Sequence, residues 1–239
     1  ADAADAANLD PIIAALAKRV GKAGLAEARA FTRAFYQRMD AEEARQHGSE
    51  GWAEVAVDML DFIRTRKRGK ALVHLFNPTL HKEGWESSHT VLQIANDDMP
   101  FLVDSVTMKL AELGIGVHVL GHPVIRMTRD KAGKLQQVGE GEAESLMHLE
   151  IDRQHQSALP AIKQAIEGVL ADVRAIVADW RPMQDKMRDV AEGVVAGKGP
   201  GSAADRAEVQ EFLRWAADEH FTFLGYRGSS VVKQGKQAM

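Results

Sequence analysis

The chain has no cysteine. Disulfides, thiolate catalysis and cysteine-based zinc sites are therefore excluded, and the absence suits a reducing compartment. Aromatic residues are scarce at 6%, whereas apolar residues reach 45%, much of it alanine. That is the composition of a helix-rich globular chain, not of a disordered one. A basic surplus is missing too: 30 Lys and Arg against 34 Asp and Glu leave a net charge of −4. A nucleic-acid module usually carries the opposite sign. No apolar run reaches the roughly 20 residues a membrane-spanning helix needs, so no membrane partner is expected. The opening ADAADAANLDP has neither the basic nor the apolar region of a signal peptide. No G-x-G-x-x-G follows a strand, no phosphate-binding P-loop is present, and no Ser-His-Asp arrangement has a spacing to support it.

What remains is a chain of 239 residues, long enough for one large domain or two small ones. Asp10-Pro11 opens a first helix, with Asp10 as its cap and Ile12, Ile13, Leu16 and Val20 on one face. A second helix is expected over Leu25–Met39. A third, Gly51–Lys67, has the clearest stripe: Trp52, Val55, Ala56, Met59, Leu60 and Ile63. It ends in the basic run RTRKRGK, which reads either as charge complementing the helix dipole or as a contact for an acidic partner or phosphate. Ala71–Phe76 is a strand stopped by Asn77-Pro78.

The middle of the chain changes character. His89–Ala95 (HTVLQIA) is a β-type run, Asn96–Pro100 a turn, and Phe101–Leu113 a helix with Gly114 as its C-terminal stop. Gly116–Thr128 is extended but interrupted by Gly121 and Pro123, which suggests a bulge or an edge. Asp130–Gly133 is a hairpin-type turn. Ser145–Asp152 (SLMHLEID) alternates, with Met147, Leu149 and Ile151 on a buried face and His148, Glu150 and Asp152 on a solvated one. Leu159–Trp180 is a long apolar-faced helix, Pro182–Ala196 a further one, and GKGPGS at 197–202 a linker by composition. Ala203–His220 is helical and Phe221–Tyr226 starts a strand. The order from His89 to Trp180 is β-α-β-β-α. A closing strand, with Phe221–Tyr226 the candidate, would make it a βαββαβ two-layer sandwich of the ferredoxin-like α+β class. The RNA-binding RRM fold shares that order, but its exposed strand aromatics are lacking here.

Chemistry is most plausible at the strand-to-helix junction. A helix start presents free N–H groups and partial positive charge, suited to a carboxylate. Asp97 and Asp98, just before it, suit an ammonium group. Together they describe a free amino acid, held by Asn96, Asp97, Asp98, Met99, Pro100, Phe101 and Leu102. The plainer reading is that the aspartates cap the helix and Pro100 starts it. His118 and His122 have a spacing that would bind metal on a helix. On an extended chain they lie roughly 13 Å apart, too far to share an ion.

The span His89–Gly114 resembles the first strand and helix of an ACT domain, the amino-acid-sensing βαββαβ module. Its turn usually reads Asp-x-Pro-Gly-hydrophobic. Asp98-Met99-Pro100 matches, while Phe101 stands where glycine is usual and fills space that glycine leaves open. The blocks NDDMPFLVDSV, VHVLGHPVIRMTRD, SLMHLEID and FLRWAADEHFTFLGYR, in this order across Asn96–Arg227, resemble the N-terminal region of the large bacterial NAD-dependent glutamate dehydrogenases. The resemblance implies an N-terminal helical segment over 1–70, an ACT-like α/β domain over 71–196, and the linker at 197–202. Residues 203–239 would start the next module or supply the last strand of the sandwich. It also implies a cytoplasmic, oligomeric oxidoreductase whose NAD-binding and catalytic domain lies downstream. This chain would hold no cofactor, metal or catalytic residue and would serve regulation and assembly. A chain that starts without methionine and stops soon after FTFLGYR is expected to be a piece of that longer protein. The alternative is a stand-alone amino-acid sensor of the same fold.

Overall fold

The computed structural model describes residues 8–37, 39, 43–196 and 201–229. The chain divides into two compact units, Ala1–Ala171 and Asp172–Met239. The first unit opens with α1 (Asp10–Arg19), which carries Pro11 in its first turn. Asp10 lies inside this helix instead of capping it, and Asn8 Oδ1 accepts its N–H at 3.0 Å. Helix α2 (Leu25–Phe35) stops short of the expected Met39. Helix α3 (Glu43–Phe62) starts earlier than its stripe suggested and bends at Gly48, whose φ of 63° favours glycine. The stripe from Trp52 to Ile63 is buried as its spacing requires. Phe31 stacks on Phe35 with centroids 5.3 Å apart, and the Tyr36 hydroxyl donates to the Trp52 carbonyl at 2.8 Å.

The sheet has six strands: β1 (Leu72–Phe76), β2 (Thr90–Asp97), β3 (Val117–Gly121), β4 (Val124–Arg129), β5 (Leu135–Val138) and β6 (Glu142–Ile151). Their order is β1-β2-β6-β4-β5, with β3 also on β6, and every pairing is antiparallel. Strands β3 and β4 divide the length of β6 between them, separated by His122-Pro123 and bulged near Val117, as Gly121 and Pro123 suggested. Helix α4 (Leu102–Glu112) follows β2 and stops at Gly114, whose φ is 70°. There Ile115 N–H returns to Leu110 O at 2.9 Å, which satisfies a carbonyl of the last turn.

The expected closing strand is not the one observed. The open edge of β2 is taken by β1, which precedes it, in register from Leu72↔Ala95 to Phe76↔Val91. Residues 221–229 enter no strand. The physical reason is proximity along the chain. Strand β1 needs only the 77–89 loop to reach β2, whereas the 38-residue α5 (Leu159–Ala196) and a further helix lie between β6 and Phe221 in the sequence. Helix α5 also runs unbroken through Pro182, where two helices were expected. Proline removes one helical hydrogen bond, and the turns on both sides hold the rest.

Both faces of the central strands are buried. Val91, Ala95 and Leu146 share a core with α1, α2 and α3, including Leu16, Phe31, Trp52 and Met59. The alternate residues Leu92, Ile94, Met147, Leu149 and Ile151 are equally buried. They face the other way, toward the apolar stripes of α4 (Leu102, Val106, Leu110) and early α5 (Leu159, Ile162, Ile166). The unit is therefore three layers, helices–sheet–helices, and not the two expected. Helices α1–α3, within the helical segment expected over 1–70, share a core with the sheet.

In the second unit, polar side chains tie the later part of α5 to α6 (Ala203–Trp215). Ser202 and Asp205 close a reciprocal capping box at the start of α6. Arg214 pairs with Glu192 at 2.6 Å, and Gln184 donates to the Ala217 carbonyl at 3.3 Å. A single π-helical turn, Ala216–His220, ends the helix.

Candidate functional site

The junction of β2 and α4 is built on an unusual backbone. Phe101, the residue before α4, has φ 69° and ψ 2°, the left-handed conformation that glycine adopts freely. The turn thus keeps the shape of a glycine turn with phenylalanine in it, and the ring is half exposed. Leu102 is buried beneath the helix, Asn96 is buried in β2 opposite Ser145, and Asp98 and Pro100 are exposed. Asp98 N–H ties the turn to β6 through the Ala143 carbonyl at 3.2 Å.

Asp97 has partners already. Its carboxylate accepts from Arg66 Nη1 at 2.9 Å and from Gly69 N–H at 2.8 Å. Arg66 comes from the basic run after α3 and is buried, with its side chain 2% exposed. Its Nε donates to Glu144 Oε2 at 2.9 Å, and Arg129 holds both oxygens of the same carboxylate at 2.6 and 3.0 Å. Burial acts to raise the Glu144 pKa, but the bonds from Arg129 and Arg66 outweigh it and hold the carboxyl below its usual range. Arg66 is therefore neither a helix-dipole charge nor an exposed contact, the two readings of the basic run. The segment carrying it pairs with the β4–β5 hairpin through Arg66 N–H to Gly133 O and Leu135 N–H to Arg64 O. Two guanidiniums and two carboxylates make a neutral quartet. Lys67, Arg68, Asp98 and Lys131 complete the walls of a cleft of about 620 Å³. The cleft presents charge of both signs but no nucleophile beside a base.

A second polar cluster lies between α3 and the sheet, where a solvated strand face was expected. Glu150 and His148 are both buried. The Glu150 carboxylate accepts from Ser87 Oγ at 2.6 Å, meets His89 Nδ1 at 3.2 Å and His148 Nε2 at 3.8 Å, and bonds to His47 Nε2. Burial acts to raise its pKa, and these imidazoles and the hydroxyl more than reverse that, holding it far below the carboxylate range. The bend at Gly48 comes directly after His47, the residue that reaches this carboxylate. Asp152, just past the end of β6, is half-buried and takes His118 Nε2 at 2.8 Å and Gly116 N–H at 2.6 Å. Its pKa is lowered by the Gly116 N–H and then by His118. His122 instead meets Ser145 Oγ at 2.6 Å. Among the described residues no group of three or more His, Asp or Glu side chains is placed to hold a metal. Sequence reasoning missed both clusters. Residues 66, 97, 129 and 144, like 47, 87, 89 and 150, are brought together only by sheet register and helix packing.

A mixed α and β domain with a six-stranded, fully antiparallel sheet is consistent with an ACT-like module; the order from β2 onward is β-α-β-β-β-β-α, not the expected β-α-β-β-α. The family description "Glutamate dehydrogenase, ACT1 domain" matches residues 31–166. The chain belongs to that family. The match starts in α2 and ends in α5, so it includes α3 with the sheet it covers. Relatives include the NAD-specific glutamate dehydrogenase of Pseudomonas aeruginosa, 34% identical over 228 residues, which is 92% of this chain and 14% of that protein. The enzyme of the same name from Halomonas elongata is 32% identical over 94% of this chain and 14% of its own length. That of Mycobacterium tuberculosis is 31% identical over 59% of this chain and 9% of its own length. The chain thus spans 14% of the length of the Pseudomonas and Halomonas relatives. Among the described residues no helix is long and apolar enough to cross a membrane.

Proposed function

We propose that this chain is the N-terminal regulatory and assembly region of a large, cytoplasmic NAD-dependent glutamate dehydrogenase, and is itself non-catalytic. The parent reaction would be oxidative deamination of L-glutamate. Two electrons and a proton pass to NAD as hydride, and water replaces the amine to give 2-oxoglutarate and ammonia. The observation that carries this reading is the alignment: nearly all of this chain matches a small part of enzymes named for that activity. The residues agree with it. The sequence has no dinucleotide fingerprint, and four charged groups of the cleft, Arg66, Arg129, Asp97 and Glu144, neutralise one another in fixed pairs. Purified chain should give no glutamate-dependent NADH absorbance, while the parent polypeptide does. Turnover by the chain alone would refute the reading.

A second reading, an amino-acid sensor, draws on the cleft beside Asp98, whose rim offers both signs to a zwitterion. The buried pairing of Asp97 with Arg66 leaves Asp98, Lys67, Arg68 and Lys131 to do the binding. Calorimetric titration of the folded chain with the common amino acids tests it. No heat of binding at millimolar ligand would exclude it.

A further inference from the structure

Helix α6 is well formed, with its capping box in place, yet not one of its residues is buried. An isolated helix of this length is marginal in water. One with an apolar stripe normally covers that stripe with another element. Here Val209, Phe212, Trp215, Phe221, Leu224 and Tyr226 stand 46–69% exposed within eighteen residues. They include four of the five exposed aromatic residues of the described chain.

The rings are already organised. Trp215 and Phe221 meet edge to face at 5.7 Å, Phe212 and Phe221 at 6.5 Å, and Phe212 stacks with Trp215 at 6.0 Å. The π-helical turn, with Glu219 at φ 61°, reverses the chain so that Phe221 returns to the rings of α6. Phe221 itself is extended (φ −129°, ψ 141°) and the β-type run after it has no sheet partner among the described residues. The slot it was expected to fill beside β2 is occupied by β1.

We infer that the face made by Phe212, Trp215, Phe221, Leu224 and Tyr226 is the docking surface for the polypeptide that follows in the parent chain, and that Phe221–Tyr226 becomes a strand of a sheet in that downstream part. The occupant is set by three observations together: an unpartnered strand sequence, an aromatic platform contiguous with it, and relatives that cover this chain with only 14% of their length. The inference rests on the reading that the chain is part of a longer dehydrogenase.

Hydrogen–deuterium exchange of the full-length parent against this chain tests it. Amides of residues 221–226 should exchange at least about 100-fold more slowly in the parent. Phe212→Ser and Phe221→Ser, both at exposed positions, should remove that slowing without unfolding the first unit. Equal exchange in parent and chain would overturn the inference, and so would slowing in the isolated chain that grows with its concentration, which would mark a second copy as the occupant. Glutamate-dependent NAD reduction by the parent is read separately, so a failure here is distinct from a failure of the proposed function.

Discussion

Arg66 sits where removal of one side chain takes a guanidinium from two acids at once, leaving Glu144 to Arg129 and Asp97 to the Gly69 N–H. Its guanidinium bridges Asp97 and Glu144 at 2.9 Å each, and both it and Glu144 are buried. Breaking a buried pair from one side destabilises by about 3–5 kcal/mol, because the remaining charge is left unpaired. Arg66→Ala should lower stability in urea titrations by the lower part of that range, because Arg129 still holds Glu144, and by more than Arg68→Ala does at its exposed 3.5 Å contact with Glu142. Asp58 behaves in the opposite sense. Burial, countered in part by the Trp85 N–H at 2.6 Å, pushes its pKa up to about 6 from 3.8. The folded state therefore binds more protons than the unfolded state between those values, and stability falls as pH rises through that window. Asp58→Asn keeps an acceptor for Trp85. At pH 7 it should stabilise by on the order of 1–3 kcal/mol and flatten the pH dependence between 4 and 6. At this scale little was legible in the sequence. Asp97 was read as a candidate ammonium ligand. In the fold its carboxylate meets Arg66, 31 residues away, in a basic run that reads equally well as surface charge. His148 and Glu150 looked solvated because alternation reports two faces of a strand, not whether a second helical layer covers the polar one.

The elements were far more legible. Stripes at helical spacing placed α3, α4 and early α5, and Gly114 stopped α4 as its position suggested. Boundaries set by backbone geometry were not visible, such as the bend at Gly48 or the unbroken passage through Pro182. Strands were more visible than their pairing: β1 and β2 were read as β-type runs, β3 and β4 as one extended stretch interrupted by Gly121 and Pro123, and β6 from its alternation, while the pairing of β1 with β2 depends on which edge is nearest along the chain. The join between the Arg64–Arg66 segment and the β4–β5 hairpin depends on Gly133. It has φ 87°, and a Cβ there would lie 2.5 Å from the Arg66 carbonyl oxygen. Gly133→Ala should cost more than about 2 kcal/mol, combining left-handed strain with a backbone clash. Gly114, with φ 70° and open space around it, offers the comparison: Gly114→Ala should cost only about 1 kcal/mol. Thermal midpoints of the two variants would separate clash from strain.

For the whole molecule, the decisive fact is that α1–α3 and the sheet share one core. The sequence suggested a separate helical segment because helices gather at the start and strands in the middle, and composition says nothing about which faces meet. A chain lacking residues 1–62 would expose Val91, Ala95, Leu146 and the Glu150 cluster on one face of the sheet. It should lose near-ultraviolet dichroism and cooperative unfolding; retention of both would show that the layers are independent. The family match, which runs from α2 into α5, fits the shared core. The most direct test of the central claim is the sedimentation mass of the parent dehydrogenase with and without residues 1–229, measured alongside its glutamate-dependent NAD reduction. The account predicts that removal changes the assembly state or the dependence of rate on glutamate, while NAD reduction itself persists. An unchanged mass with unchanged kinetics would contradict it.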